Sequence, residues 1–231
     1  MRIDVNVDIG EGFAYDDELI KLATSANVCC GAHAGSRELT LETIEKCKRA
    51  GVRIGMHPGF PDRASMGRSL PRPDEADRWF ESLLDQADSF MKAHKAAYFK
   101  PHGAWYNLLC SPSRIPNELN GMASGMLFGF CRRYVISPML ADCAPYEHLK
   151  LYGCPPIREG FADRAYDKRG FLVPRGQPEA MLEDPETIAK QVTKLALQCQ
   201  SICVHGDSEG CTAILELVVK TLEDGGYEVG S

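Results

Sequence analysis

Four of the six histidines stand in the same kind of place. His33 follows Asn27-Val28-Cys29-Cys30-Gly31, and His57 follows Val52-Arg53-Ile54-Gly55-Met56. His102 follows Tyr98-Phe99-Lys100-Pro101, and His205 follows Ile202-Cys203-Val204. Each comes at the C-terminal end of an apolar run, with a glycine close behind: Gly35, Gly59, Gly103 and Gly206. One such histidine is more often a satisfied, partly buried residue than a functional one. Four in equivalent places are harder to explain as packing. In parallel β/α folds the carboxyl ends of the strands converge on one face, and sites form there. A glycine beside the functional side chain permits a tight turn and a close approach by a ligand. His94 and His148 lack this context and read as surface residues.

Carboxylates and cations join the same face. Asp8 ends the first apolar run, and Glu11 follows in Asp8-Ile9-Gly10-Glu11-Gly12. Asp163 stands beside Arg164, and Asp207 comes two residues after His205. The bland reading of Glu11 and Asp207 is helix capping. Lys100 precedes Pro101-His102, where an ammonium could bind an anion or stabilise an oxyanion. The candidate catalytic set is therefore Asp8, Glu11, His33, His57, Lys100, His102, Asp163 and His205. Candidate substrate contacts are Asn6, Asn27, Arg68, Asn107, Arg164 and Asp207, the asparagines having turn stabilisation as their bland alternative. Histidine and carboxylate also ligate divalent ions, with Asp8, His33, His57 and His205 as candidates. No ligand spacing is diagnostic, so a site without metal is the expectation and a divalent metal the alternative.

The elements that must position these groups read as strand, loop, helix, repeated. Strands are expected at Ile3 to Val7, Ser25 to Cys30, Val52 to Met56, Ala97 to Lys100, Tyr134 to Ser137, Ile157 to Glu159 and Ser201 to Val204. Helices are expected at Asp16 to Ala23, 37–50, about Pro73 to His94, 117–132, then up to about 150, 185–199 and 209–224. Ser111-Pro112 and Ile115-Pro116 break the chain before the fourth of these. Trp79, Phe80, Leu83, Leu84, Ala87, Phe90 and Met91 make an apolar stripe, read as core packing. Residues 160–183 form a long loop, which in a compact domain is usually functional. This alternation implies parallel βα units. An α/β fold, a seven-stranded irregular β/α barrel over residues 1–231, is the leading architecture, with a doubly wound open sheet second.

Composition bounds the partners. Lys and Arg number 26 against 32 Asp and Glu, a net charge of −6, which argues against nucleic acid. The ten cysteines form no C-x-x-C pair and read as reduced, buried thiols. The first residues alternate polar and apolar, unlike a signal peptide, and no apolar run approaches membrane-spanning length. A soluble, cytoplasmic protein is expected. There is no G-x-x-x-x-G-K-[ST], no G-x-G-x-x-G after the first strand, no G-x-S-x-G and no H-E-x-x-H. The chemistry expected is acid–base work on a small polar substrate.

Together these segments resemble the LamB/YcsF lactam-utilisation family, the A-type components of 5-oxoprolinase. The resemblance is carried by Asn6-Val7-Asp8-Ile9-Gly10-Glu11, Ser25 to Gly35, Ile54 to Asp62, Lys100-Pro101-His102-Gly103-Ala104-Trp105-Tyr106-Asn107, Phe161 to Tyr166, Leu172-Val173-Pro174-Arg175 and Val204-His205-Gly206-Asp207. It implies a barrel similar to the glycoside hydrolase/deacetylase superfamily. It also implies ATP-dependent cleavage of 5-oxo-L-proline to L-glutamate, with ATP as co-substrate of a complex with subunits B and C. Ser36 replaces an aspartate usual in the family, and Ser65-Met66-Gly67-Arg68-Ser69 departs from Gly-Phe-Gly-Arg-Arg. Two alternatives stand beside this reading. One is a stand-alone metal-dependent deacetylase or other carbon–nitrogen hydrolase. The other is a non-catalytic subunit that binds substrate or regulates its partners.

Overall fold

The computed structural model describes residues 1–110, 117–141, 146–151 and 153–231. Expected breaks at 111–112 and 115–116 lie outside them, as do the side chain of His148 and the start of the helix expected before 150. The first half runs β1 (Arg2–Ile9), α1 (Asp16–Leu22), β2 (Ser25–Cys29), α2 (Arg37–Ala50), β3 (Arg53–His57), α3 (Ala76–Ala93) and α4 (Gly103–Cys110). The second runs α5 (Asn117–Tyr134), β4 (Met139–Leu140), α6 (Tyr146–Leu151), β5 (Ile157–Phe161), α7 (Pro185–Ala196), β6 (Ser201–His205), α8 (Cys211–Asp224) and β7 (Glu228–Val229).

The sheet order is β3-β2-β1-β6-β5-β4, with parallel pairing throughout, and β7 adds to the start of β1. The expected strand at 97–100 is reduced to bridges. Phe99 pairs with Met56 on one side and Pro138 on the other, so this segment joins β4 back to β3 and closes the ring. The strand expected at Tyr134 to Ser137 lies further on. Helix α5 runs to Tyr134, Val135 turns the chain at φ 52°, and pairing begins only at Pro138. Helix α4 and strand β7 were not expected from the sequence; both are short, and neither carries a long periodic pattern.

Helix ends follow local chemistry. Ser36 Oγ caps α2 by accepting the Leu39 N–H, and Gly51 ends it at φ 73°. Ser36 thus fills a role that aspartate fills equally well, which accounts for that departure from the family pattern. Asp184 caps α7 with Pro185 behind it. The stripe on α3 is core as expected, with Phe80, Leu83, Ala87 and Phe90 buried.

Buried strands of a parallel sheet normally read as continuous apolar runs. Here β1 alternates instead, and the reason lies inside the ring. Val5, Val7 and Ile9 pack into the apolar core, whereas Asp4, Asn6 and Asp8 are buried on the other face. Asp4 accepts from Thr24, Ser25 and Ser201. One layer up, Asn6 donates to Ser201 Oγ and accepts from Asn27, whose Oδ1 takes the Tyr98 hydroxyl at 2.7 Å. Register then sets Asp8 level with Asn27 on β2 and His205 on β6, and Cys29 level with His57. A hydrogen-bonded polar column thus rises through the ring to the strand ends.

The turn after β1 is pinned by Asp16, whose Oδ2 accepts the Gly10 N–H at 2.9 Å. Burial pushes this carboxyl up to about 6, against the pull of that N–H. Its folded pKa exceeds its unfolded one, so its contribution is complete below about 4 and is lost as pH rises through about 6. Asp16→Asn keeps an acceptor and removes the ionisation. Urea unfolding at pH 7 should show a gain of about 1 kcal/mol, with the slope between pH 4 and 6 flattened. An unchanged slope would show that Asp16 does not titrate there.

Candidate active site

The strand ends carry the groups that the sequence singled out. Lys100, 2% exposed, reaches into the ring from the closing segment. Its Nζ lies 2.9 Å from Asp8 Oδ1, 3.0 Å from Cys203 Sγ and 2.8 Å from Glu159 Oε1. The Glu159 contact is an ion pair by distance but is not aligned as a hydrogen bond, since Oε1 accepts none. One ammonium therefore faces two buried carboxylates. Burial pushes Asp8 up, but Lys100, His57 and His205 outweigh it and hold the carboxyl well below its usual range. Burial prevails at Glu159 and raises it despite Lys100. Burial also opposes the charge on Lys100, yet Asp8, Cys203 and Glu159 hold its pKa well above the usual value. Of the two carboxyls Glu159 is therefore the more readily protonated, and its other oxygen takes the Tyr106 hydroxyl at 3.0 Å.

Above Lys100 three imidazoles and Glu11 meet. His57 Nδ1 lies 2.8 Å from the Lys100 carbonyl, and His102 Nε2 lies 2.8 Å from the Met66 carbonyl. A carbonyl only accepts, so each of those nitrogens carries the proton. The remaining two, His57 Nε2 and His102 Nδ1, face each other at 2.9 Å. Burial pushes His57 down to about 4, and burial with the neighbouring imidazoles holds His102 well below its usual value. Near neutral pH both facing nitrogens therefore present lone pairs. His33 stacks on His102 with centroids 3.8 Å apart, and its Nε2 lies 3.1 Å from Glu11 Oε1. That same oxygen is 3.5 Å from His102 Nδ1.

These four side chains fit a divalent cation. Their ligand atoms all lie within 4.8 Å of one another. Two lone pairs 2.9 Å apart repel unless a cation binds both, and nitrogen donors at about 2.1 Å from one ion adopt such a separation. Three imidazoles and a carboxylate suit zinc and its transition-metal neighbours. Of the metal candidates taken from the sequence, His33 and His57 belong to this group. Asp8 and His205 stand beside it, and Glu11 and His102 complete it.

The opposite wall holds a separate pair. His205 Nδ1 lies 3.0 Å from both oxygens of Asp163, and its backbone N–H donates to Asp163 Oδ2. Burial raises the Asp163 carboxyl, but His205 and these hydrogen bonds hold it below its usual range. Asp8 Oδ2 stands between the two walls, 3.6 Å from His57 Nε2 and 4.0 Å from His205 Nε2.

A cavity of about 450 Å³ opens over these groups, within the range of small-molecule sites. Asp8, His57, Lys100, His102 and His205 line its floor, with Arg68, Asn107 and Arg164 among its walls. Asn6 and Asn27 do not reach it. Both are fully buried and support Asp8 from below, Asn27 donating to Asp8 Oδ1 at 2.7 Å. Neither Glu11 nor Asp207 caps a helix: the N-cap positions of α1 and α8 are Tyr15 and Gly210, without side-chain cap hydrogen bonds. Arg63 ties the loops together through the Gly31 and Gly35 carbonyls. Gly59 shows why glycine follows these histidines, because a Cβ there would stand 2.5 Å from His33 Nδ1. Sequence spacing missed Glu159 and Arg175. Glu159 lies on a short strand and pairs across the ring. Arg175 appeared only as part of Leu172-Val173-Pro174-Arg175.

The LamB/YcsF family profile matches residues 3–231. The chain belongs to the LamB/YcsF family. This LamB/YcsF chain is 34% identical over 252 residues to the A component of 5-oxoprolinase from Pyrococcus furiosus, covering 99% of the chain and 97% of that protein. Its fold is similar to the lactam utilization protein from Thermus thermophilus, with TM-score 0.79 and 27% identity, over 100% and 99% of the two chains. A family 4 carbohydrate esterase from Streptomyces lividans, 12% identical, matches at TM-score 0.51 over 100% and 92%. That likeness shows the fold alone and agrees with the expected β/α barrel. Among the described residues no helix is long and apolar enough to cross a membrane. Seven of the nine described cysteines are buried.

Proposed function

We propose that this chain hosts the hydrolytic half of an ATP-dependent 5-oxoprolinase. It would open 5-oxo-L-proline to L-glutamate after partner subunits B and C have phosphorylated the lactam oxygen. The relatives carry the name of that enzyme's A component, and the sequence has no Walker-type phosphate loop of its own. The carrying observation is Asp8 between two histidine walls at the floor of one cavity.

The chemistry follows from the partition of one intermediate. Water adding to the activated carbon gives a tetrahedral species bearing oxygen, nitrogen and phosphoryl oxygen. Loss of phosphate from it returns the lactam. Cleavage of the carbon–nitrogen bond opens the ring, and hydrolysis of the resulting acyl phosphate gives glutamate. A proton delivered to the ring nitrogen therefore decides the outcome. His205, held by Asp163, supplies it, while Asp8 takes the proton from water. Glu11, His33, His57 and His102 would hold a divalent cation, which supplies Lewis-acid polarisation of an oxygen when bound.

The reading is tested by glutamate release from 5-oxoproline and ATP, with each component omitted in turn. Release should require this chain and both partners together. Full release without this chain sinks the proposal. So does release by this chain alone with metal and no ATP, which would favour a stand-alone hydrolase. The cation is tested separately by Co²⁺ titration of the chain without substrate. A visible absorption band should appear, and the unfolding free energy should rise by about 2–3 kcal/mol at saturation. Both effects should vanish in Glu11→Gln/His57→Ala; no band and no shift in the native chain would leave an all-organic site.

A further inference from the structure

The cavity wall carries more positive charge than its own carboxylates offset. Arg68 Nη2 and Arg175 Nη1 both donate to a single oxygen, Asp207 Oδ2, at 2.8 and 2.6 Å. The other oxygen, Asp207 Oδ1, and the other nitrogen, Arg175 Nη2, are buried and lack a partner. Arg164 is 7% exposed and faces the same cavity. It is anchored through Nε and Nη2 to the Ala180 and Val173 carbonyls at 3.2 and 2.6 Å. Three guanidinium groups stand against Asp207 and against Asp163, which acts on Arg164 and Arg175 but is also bound to His205, so the wall keeps a positive surplus. Lys100 adds nothing to this surplus, because Asp8 and Glu159 hold it on the floor.

A wall built in this way is incomplete without an anion. A lactam offers one negative charge and two acceptor oxygens on its carboxylate. A phosphoryl group carries close to two negative charges and three acceptor oxygens, and guanidinium forks match that geometry. We infer that Arg68, Arg164 and Arg175 form a receiving site for a phosphoryl dianion, with Asp207 holding the two outer arginines in place. The inference rests on the hydrolytic reading above and sharpens it. The species that enters is the phosphorylated lactam made on a partner, and the phosphoryl group is its handle. Arg175 thereby gains a role as a specificity-determining residue.

Calorimetric titration of the full chain tests this, with inorganic phosphate and 5-oxo-L-proline as separate probes at fixed ionic strength. Phosphate should bind. Arg175→Ala should weaken phosphate about tenfold or more, the size of one charge-assisted hydrogen bond, and 5-oxo-L-proline by less than about threefold. Arg175→Lys keeps the charge but loses the fork, and should recover only part of the affinity. An unfolding midpoint near that of the native chain confirms that the variant is folded; if Arg175→Ala fails to fold, Arg68→Lys is titrated in its place. The site is overturned if the native chain does not bind phosphate, or if the variants bind it unchanged. Equal losses for both probes overturn it too, since the arginines would then hold the lactam carboxylate. These titrations need no turnover. Phosphate binding that Arg175→Ala weakens, beside a mixture that makes no glutamate, leaves the site standing and removes the reaction. Glutamate release with phosphate binding unaffected removes the site alone.

Discussion

Lys100→Met should destabilise the fold by about 3–5 kcal/mol at pH 7, the cost of leaving buried charge without its counterion. The geometry concentrates the effect. Lys100 Nζ is the shared partner of Asp8 at 2.9 Å and Glu159 at 2.8 Å, and all three side chains are almost fully buried. Without the ammonium, the largest pull against burial is gone from both carboxyls, and their pKa values rise. The sign of the pH dependence follows. Raised folded values stabilise at low pH and lose that contribution as pH rises, so the variant should lie closest to the native chain in acid. Adding Asp8→Asn and Glu159→Gln to Lys100→Met should recover most of the loss. Urea unfolding at pH 5 and pH 7 measures both effects. A loss below about 1 kcal/mol, or one independent of pH, would show that the trio is not ionised in this way.

Asp163→Asn should lower kcat for glutamate release about 10²–10⁴-fold in the reconstituted mixture, with KM for 5-oxoproline little changed. Asp163 accepts the Nδ1 proton of His205 and leaves Nε2 directed toward Asp8. An asparagine can turn its N–H₂ toward Nδ1, which moves the neutral imidazole's proton to Nε2 and removes the charge that favours the imidazolium. The backbone N–H of His205 keeps an acceptor in the asparagine, so the fold should survive. A thermal midpoint near that of the native chain separates chemistry from stability. A fall of less than about tenfold would remove the proton-donor role from His205.

The architecture was legible where period and burial agree. The alternation Ile3 to Val7 marked a strand that runs from Arg2 to Ile9, and its polar members form the ring's interior column. The segment 97–100 was misjudged because apolar character cannot reveal that only Phe99 pairs on both sides. The strand near 134 was misplaced because one left-handed residue, Val135, shifts the boundary, and hydropathy is blind to it. In the site, strand-end histidines were found by position. Their division into a three-histidine cluster and a separate His205–Asp163 pair was not, since it depends on register and loop packing. Glu159 and Arg175 escaped for the same reason: their partners are 59 and 32 positions away in Lys100 and Asp207.

The cluster and the pair differ in what fixes their protons. His57 and His102 each give theirs to a main-chain carbonyl, of Lys100 and Met66. Every amino acid carries that carbonyl, so no replacement at position 66 deletes the acceptor itself. Only the backbone path is constrained, and at φ 53° Met66 sits where glycine or asparagine would also be at ease. His205 depends instead on a side chain that a single substitution can change. Inherited variation should therefore fall unevenly on this site: the cluster's tautomers are robust to drift in their acceptors, and the opposite wall is fragile.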